Sequence, residues 1–170
     1  MRRTVGPRER LALAVTAQLL LVGGLLSPAL LDSVRAQEVM LETAPVDPRD
    51  LLRGQYLTLA YRVSRVQAGP DVNGGQVAYV PLRKSSKGVW TGERAVATRP
   101  GGGVFLQGRV QWINAGQATL NYGIERFYLS EEAARSEEGR GAAGLRARVR
   151  VAPSGRARLL ELWRENERIR

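Results

Sequence analysis

Four groups of residues have the types and spacing to do chemistry. Arg146, Arg148, Arg150, Arg156 and Arg158 fall at alternate positions on either side of Pro153, Ser154 and Gly155. In a hairpin they could share one sheet face and form a ribbon that holds phosphate or carboxylate groups. The competing reading is a solvated face whose arginines pair with Glu131, Glu132, Glu137 and Glu138, contacts of small worth when exposed. Glu125 and Glu131 could serve as acid and base in glycoside cleavage if the fold sets them across a cleft. More simply, Glu125 is a strand residue bonded to an arginine or a backbone amide. Ser85 or Ser86 beside Lys84 or Lys87 offers a nucleophile and a base, but all four lie in a polar turn, where an exposed lysine stays protonated. Gly101, Gly102 and Gly103 lack the lysine and following helix of a phosphate-cradling loop, so they read as a turn.

Absences narrow the chemistry further. The 170-residue chain has no cysteine and no histidine, so it lacks thiolate chemistry, disulfides and the commonest metal ligand and acid-base group. No metal and no cofactor is expected. Its formal charge of +10 comes from 26 basic residues, all arginine except Lys84 and Lys87, against 16 acidic ones. Codon composition explains such a skew as readily as a ligand does.

The N-terminus supplies the first positioning element. Arg2, Arg3, Arg8 and Arg10 precede an uncharged run, residues 11–31, which as a helix would reach about 31 Å, close to a bilayer's hydrocarbon core. Only Arg35 follows soon after. This asymmetry predicts a cytoplasmic N-terminus (1–10), a transmembrane helix (11–31) and an extracytoplasmic domain (32–170). A cleavable signal peptide ending near Val34, Arg35 and Ala36 is the competing reading, although the apolar run is long for one.

Residues 47–61, DPRDLLRGQYLTLAY, are the most specific stretch. Asp47 can cap a helical turn, Pro48 suits its first position, Asp50 adds favourable charge and Gly54 releases it. From Gln55 the pattern turns to period two, placing Leu57, Leu59, Tyr61 and Val63 on one buried face and Tyr56, Thr58, Ala60 and Arg62 on the other. A long strand is predicted from Gln55 to about Val66.

Gly54, Tyr56, Leu59 and Tyr61 resemble the signature of the GDYxxLxY family, membrane-anchored bacterial proteins without a known reaction; Gln55 stands where that signature has aspartate. The run Tyr122 to Glu132, YGIERFYLSEE, also resembles the family, with Ser130 and Glu132 where proline and glycine are expected. The resemblance implies a membrane setting and a multi-span integral membrane partner, and it brings no catalytic residue. Gly54, Gln55, Tyr56, Leu59 and Tyr61 read as a structural motif, because a catalytic aspartate could not become glutamine and keep its function.

The rest alternates strands and turns. Strands are expected at 38–43, 76–82, 89–98, 104–113 (with a bulge at Gly108), 119–129 and in a hairpin around Pro153, with Glu131 to Glu138 a short helix or ordered loop. The fold expected is mostly β, a single antiparallel β-sandwich or partly open β-barrel behind the transmembrane helix. These features together predict an interaction or assembly component of the cell envelope; an envelope hydrolase using paired carboxylates is the alternative. The membrane, an integral membrane protein, and anionic lipid or an envelope polymer fit as partners. Nucleic acid is a poor partner for a domain outside the cytoplasm.

Overall fold

Alternating apolar positions dictate where the core lies. A computed structural model describes residues 6–45, 56–130, 132, 144–165 and 167–169, and within the N-terminal helix the side chains at 8, 11–22, 24 and 32. The chain divides into two compact units, Met1–Arg35 and Ala36–Arg170.

The first unit holds α1, Pro7–Val34. Leu11, Leu13, Val15, Leu19, Leu20, Leu21 and Val22 are all exposed on it, and four consecutive positions among them span a full turn. Among the described residues no helix is long and apolar enough to cross a membrane.

The second unit is mostly β, with strands β1 (Gln37–Ala44), β2 (Tyr56–Thr58), β3 (Ala60–Tyr61), β4 (Arg65–Gln67), β5 (Val77–Lys84), β6 (Trp90–Gly92), β7 (Phe105–Asn114), β8 (Gln117–Asn121), β9 (Arg126–Tyr128), β10 (Leu145–Val151), β11 (Ala157–Arg164) and β12 (Glu167–Ile169). One large sheet runs β12-β11-β10-β1-β6-β5-β7-β8-β4, with β3 on β1, while β2 and β9 form a separate pair. The antiparallel expectation is corrected where β1 and β6 run parallel, through Leu41 and Trp90, and at an isolated parallel bridge between Ala68 and Ala95. The sheet is therefore mixed.

The predicted long strand is also corrected. Its described part breaks at Leu59 and again at a 3-10 turn, Arg62–Ser64, because it changes partners along its length. β2 pairs with β9, β3 pairs with the end of β1, and β4 pairs with β8. Residues 60–67 thus strap β1 to β8, one side on the apolar interior and the other in solvent. The bulge predicted at Gly108 lies instead between Val110 and Trp112. Gly108 serves close approach: a Cβ there would stand 2.7 Å from the Tyr122 ring. Asp47, Pro48, Asp50, Gly54 and Gln55 lie outside the described residues, as do Glu131 and residues 133–140.

The expected face is buried. Leu57, Leu59, Tyr61 and Val63 are each 1–2% exposed, packed with Val39 and Leu41 of β1, Ala78 and Val80 of β5, and Ala147 and Val149 of β10. Leu59→Ala should cost about 2–5 kcal/mol, and Leu59→Asp should abolish cooperative melting by placing a charge in this core. Thermal melts of the two variants check this; wild-type melting of Leu59→Asp would mean that the face is not core.

Candidate functional site

The two stretches singled out by sequence, around 56–61 and 122–128, are partners in space. β2 runs antiparallel to β9, with Tyr56 opposite Tyr128, Leu57 opposite Phe127 and Thr58 opposite Arg126. The Leu59 amide, where β2 ends, donates to the Glu125 carbonyl at 2.8 Å. Beyond it two buried phenols cross. Tyr61 donates its hydroxyl to the Ile124 carbonyl at 2.7 Å, and Tyr122 donates to the Val63 carbonyl at 2.6 Å. Each closes over a carbonyl that its own irregular stretch leaves outside a strand ladder, which matters because an unpaired buried carbonyl costs about 1–3 kcal/mol.

The turn between β8 and β9 is organised by side chains. The Asn121 Oδ1 accepts from the Gly123 amide at 3.0 Å, and the Glu125 Oε1 accepts from the Tyr122 amide at 2.6 Å. Gly123 takes φ 81°, in the left-handed region open to glycine. Glu125 therefore bonds a backbone amide, holding Tyr122 in place. Burial pushes the phenols of Tyr61 and Tyr122 far above their ordinary range, and the Glu125 carboxylate pushes them the same way.

One edge of this unit reaches the surface. Tyr128 is 72% exposed and its ring lies 5.9 Å from that of Tyr56, while the Arg126 guanidinium sits 5.6 Å over the Tyr56 ring. Asn121, Gly123, Glu125 and Arg126 line a recess of about 310 Å³ beside it.

A family model described as GDYXXLXY protein matches residues 18–162. The chain belongs to the GDYXXLXY family. No curated protein and no solved structure matches it. Of the GDYXXLXY motif positions, Leu59 and Tyr61 face the core, Tyr56 faces outward, and Gly54 and Gln55 lie outside the described residues. Tyr122, which answers Tyr61 across the fold, was legible as the first residue of the second family-like run, without a role of its own.

The other sequence candidates are dispersed. Arg150 bonds Glu38 at 2.9 Å, and Arg148 bridges Glu38 at 3.5 Å and Glu161 at 2.9 Å. Glu161 also holds Arg168 at 2.8 Å. Among the described residues the carboxylate partners on this face are Glu38 and Glu161; of the glutamates expected there, Glu131, Glu137 and Glu138 lie outside the described residues. Cross-strand register places Glu38 and Glu161 there. Arg146 and Arg158 are exposed on the same hairpin, and Arg156 lines a recess of about 360 Å³ with Gly108, Arg109 and Asn121. Glu131, the proposed partner of Glu125, lies outside the described residues. Lys84, Ser86 and Lys87 are exposed, and the Ser85 Oγ accepts from the Lys87 amide at 3.2 Å within its turn. Gly101, Gly102 and Gly103 form an exposed bend.

The raised phenol pKa values fix a sign for alkaline stability. Below about pH 10 both folded and unfolded phenols are neutral, so the full stability is present; above it the unfolded phenols ionise while the buried ones stay neutral, and stability falls. Each phenol should contribute about 1.4 kcal/mol of loss per pH unit. Tyr61→Phe combined with Tyr122→Phe should lower the melting temperature at pH 7 and flatten its decline between pH 10 and 12. Melts across that range check this; an unchanged decline would place the titrating groups elsewhere.

Proposed function

We propose that this GDYXXLXY protein is a single-pass, membrane-anchored interaction component of the cell envelope, its N-terminus cytoplasmic and its β domain outside. The observation that carries the interaction reading is the surface edge of the motif unit. Tyr56, Arg126 and Tyr128 are residue types that dominate the energetics of protein interfaces, and here they stand together on paired strands. A side chain exposed to the degree of Tyr128 adds little to its own domain's core. The interior residues of the same unit hold the edge in place, which accounts for one motif serving both architecture and contact.

Support for anchoring comes from the arginines ahead of residue 11, the uncharged run 11–31 and the outward-facing leucines of α1. Apolar groups on every side of a helix need a nonaqueous surrounding or a protein cover. A multi-span integral membrane protein is the partner that fits both features, since it could meet the helix within the bilayer and the aromatic edge outside it.

Two measurements test this. An enzyme reporter fused after Arg170 should be active only if it is of the kind that works outside the cytoplasm; activity of a cytoplasm-only reporter would overturn the topology. Purification of the full chain from membranes should recover an integral membrane protein that Tyr128→Ala or Arg126→Ala releases, with melting unchanged. Recovery of the same protein by both variants would move the contact away from this edge.

A further inference from the structure

The outer surface of β4, β8 and β7 is built unlike the arginine-rich hairpin. In β7, Val110 is buried opposite Leu120, and strict alternation would carry Trp112 to the same inner side. The register slips between them. Trp112 comes opposite Thr119, and the additional residue turns its indole outward, where it is 58% exposed. Among the described residues no ring or cation packs on it.

Cross-strand pairing then arranges its neighbours. Trp112, Thr119 and Arg65 lie in one row across the three strands, and Asn114, Gln117 and Gln67 lie in the next. Thr119 is half-buried and the other five are exposed; none is acidic. A recess of about 480 Å³ shares Arg65, Gln67 and Gln117 with these rows and adds Arg94 and Glu93. Glu93 is bound to Arg83 at 2.7 Å. Arg65 and Arg94 have no carboxylate partner among the described residues.

An exposed indole beside planar amides and unpaired guanidinium groups matches the chemistry of a charged sugar chain. The C–H face of a pyranose ring lies flat on an indole, its hydroxyls both donate and accept at amides, and a uronate carboxylate meets arginine. A lipid surface would call for an apolar tip, whereas the β7–β8 turn carries Asn114, Ala115, Gly116 and Gln117. We propose that the β4–β8–β7 face binds an acidic polysaccharide, with Trp112 as the stacking platform and Arg65 and Arg94 as the carboxylate contacts. This goes beyond anchoring and partner binding and does not depend on either.

The test titrates the full-length protein in detergent with a hexamer of galacturonic acid by calorimetry, beside cellohexaose and dihexanoyl phosphatidylglycerol. Saturable binding of the uronate is expected, with cellohexaose at least tenfold weaker. Trp112→Ala should weaken uronate binding at least tenfold and Trp112→Phe much less. Arg65→Gln should weaken it and reduce its salt dependence, while Arg150→Gln, on the ion-paired face, should leave it unchanged. The proposal is overturned if the wild type binds no oligosaccharide, if cellohexaose binds as tightly as the uronate, or if Trp112→Ala binds like wild type. Saturation by the phosphatidylglycerol alone, lost in Trp112→Ala, would make the face a lipid contact and overturn it equally.

Discussion

The fold depends on two phenols that exchange carbonyls across the core. Tyr61 reaches Ile124, and Tyr122 reaches Val63. Both receiving carbonyls belong to backbone that has left a strand: Val63 sits in a 3-10 turn and Ile124 in the turn before β9. A chain that breaks its ladder inside an apolar interior must find other partners for its polar groups. The tyrosines supply them, and so allow residues 60–67 to pass from β1 to β8 with Tyr61, Val63 and Val66 turned into the core and Arg62, Arg65 and Gln67 turned out.

That constraint accounts for the spacing of the GDYXXLXY motif. Leu59 and Tyr61 are two residues apart, which in extended backbone keeps both on the inner face, one as apolar filling and the other as a hydroxyl donor. Tyr56, three before Leu59, falls on the opposite face and meets Tyr128 and Arg126 outside. The constraint extends to β7 as well. For the Tyr122 ring to reach Val63 it must lie against the backbone of Gly108, where any Cβ would collide with it.

Inner and outer faces were legible in the sequence wherever alternation persists, as in Leu57 to Val63 and Leu145 to Val151, because burial imposes period two on each strand separately. Partner choice was not legible. The division of residues 56–67 among β9, β1 and β8 reflects contacts with chain some sixty residues away or nearer the N-terminus, and nothing local in TLAYRVSRV announces it. The parallel contact of β1 with β6 is hidden for the same reason. Gly108 was legible as an exception to a strand pattern but not as to its cause, since a bulge and a close aromatic contact leave the same mark in one strand's sequence. In the site, Tyr56, Leu59 and Tyr61 carried their own signal, whereas Tyr122 acquired a role only once its hydroxyl had a destination.

The arginines show why a formal charge of +10 says little until register is known. On the β1–β10–β11 face, pairing sets Glu38 opposite Arg150 and Arg148 opposite Glu161, so these two cations meet carboxylates on adjoining strands. On the β4–β8–β7 face the positions beside Arg65 are threonine, glutamine and asparagine, which compensate nothing. Arginine usage alone would have pointed to the hairpin, where the sequence is densest in positive charge. What a charge offers a ligand depends on what it faces: Arg148 and Arg150 are committed to Glu38 and Glu161, whereas Arg65 and Arg94 have no carboxylate partner among the described residues.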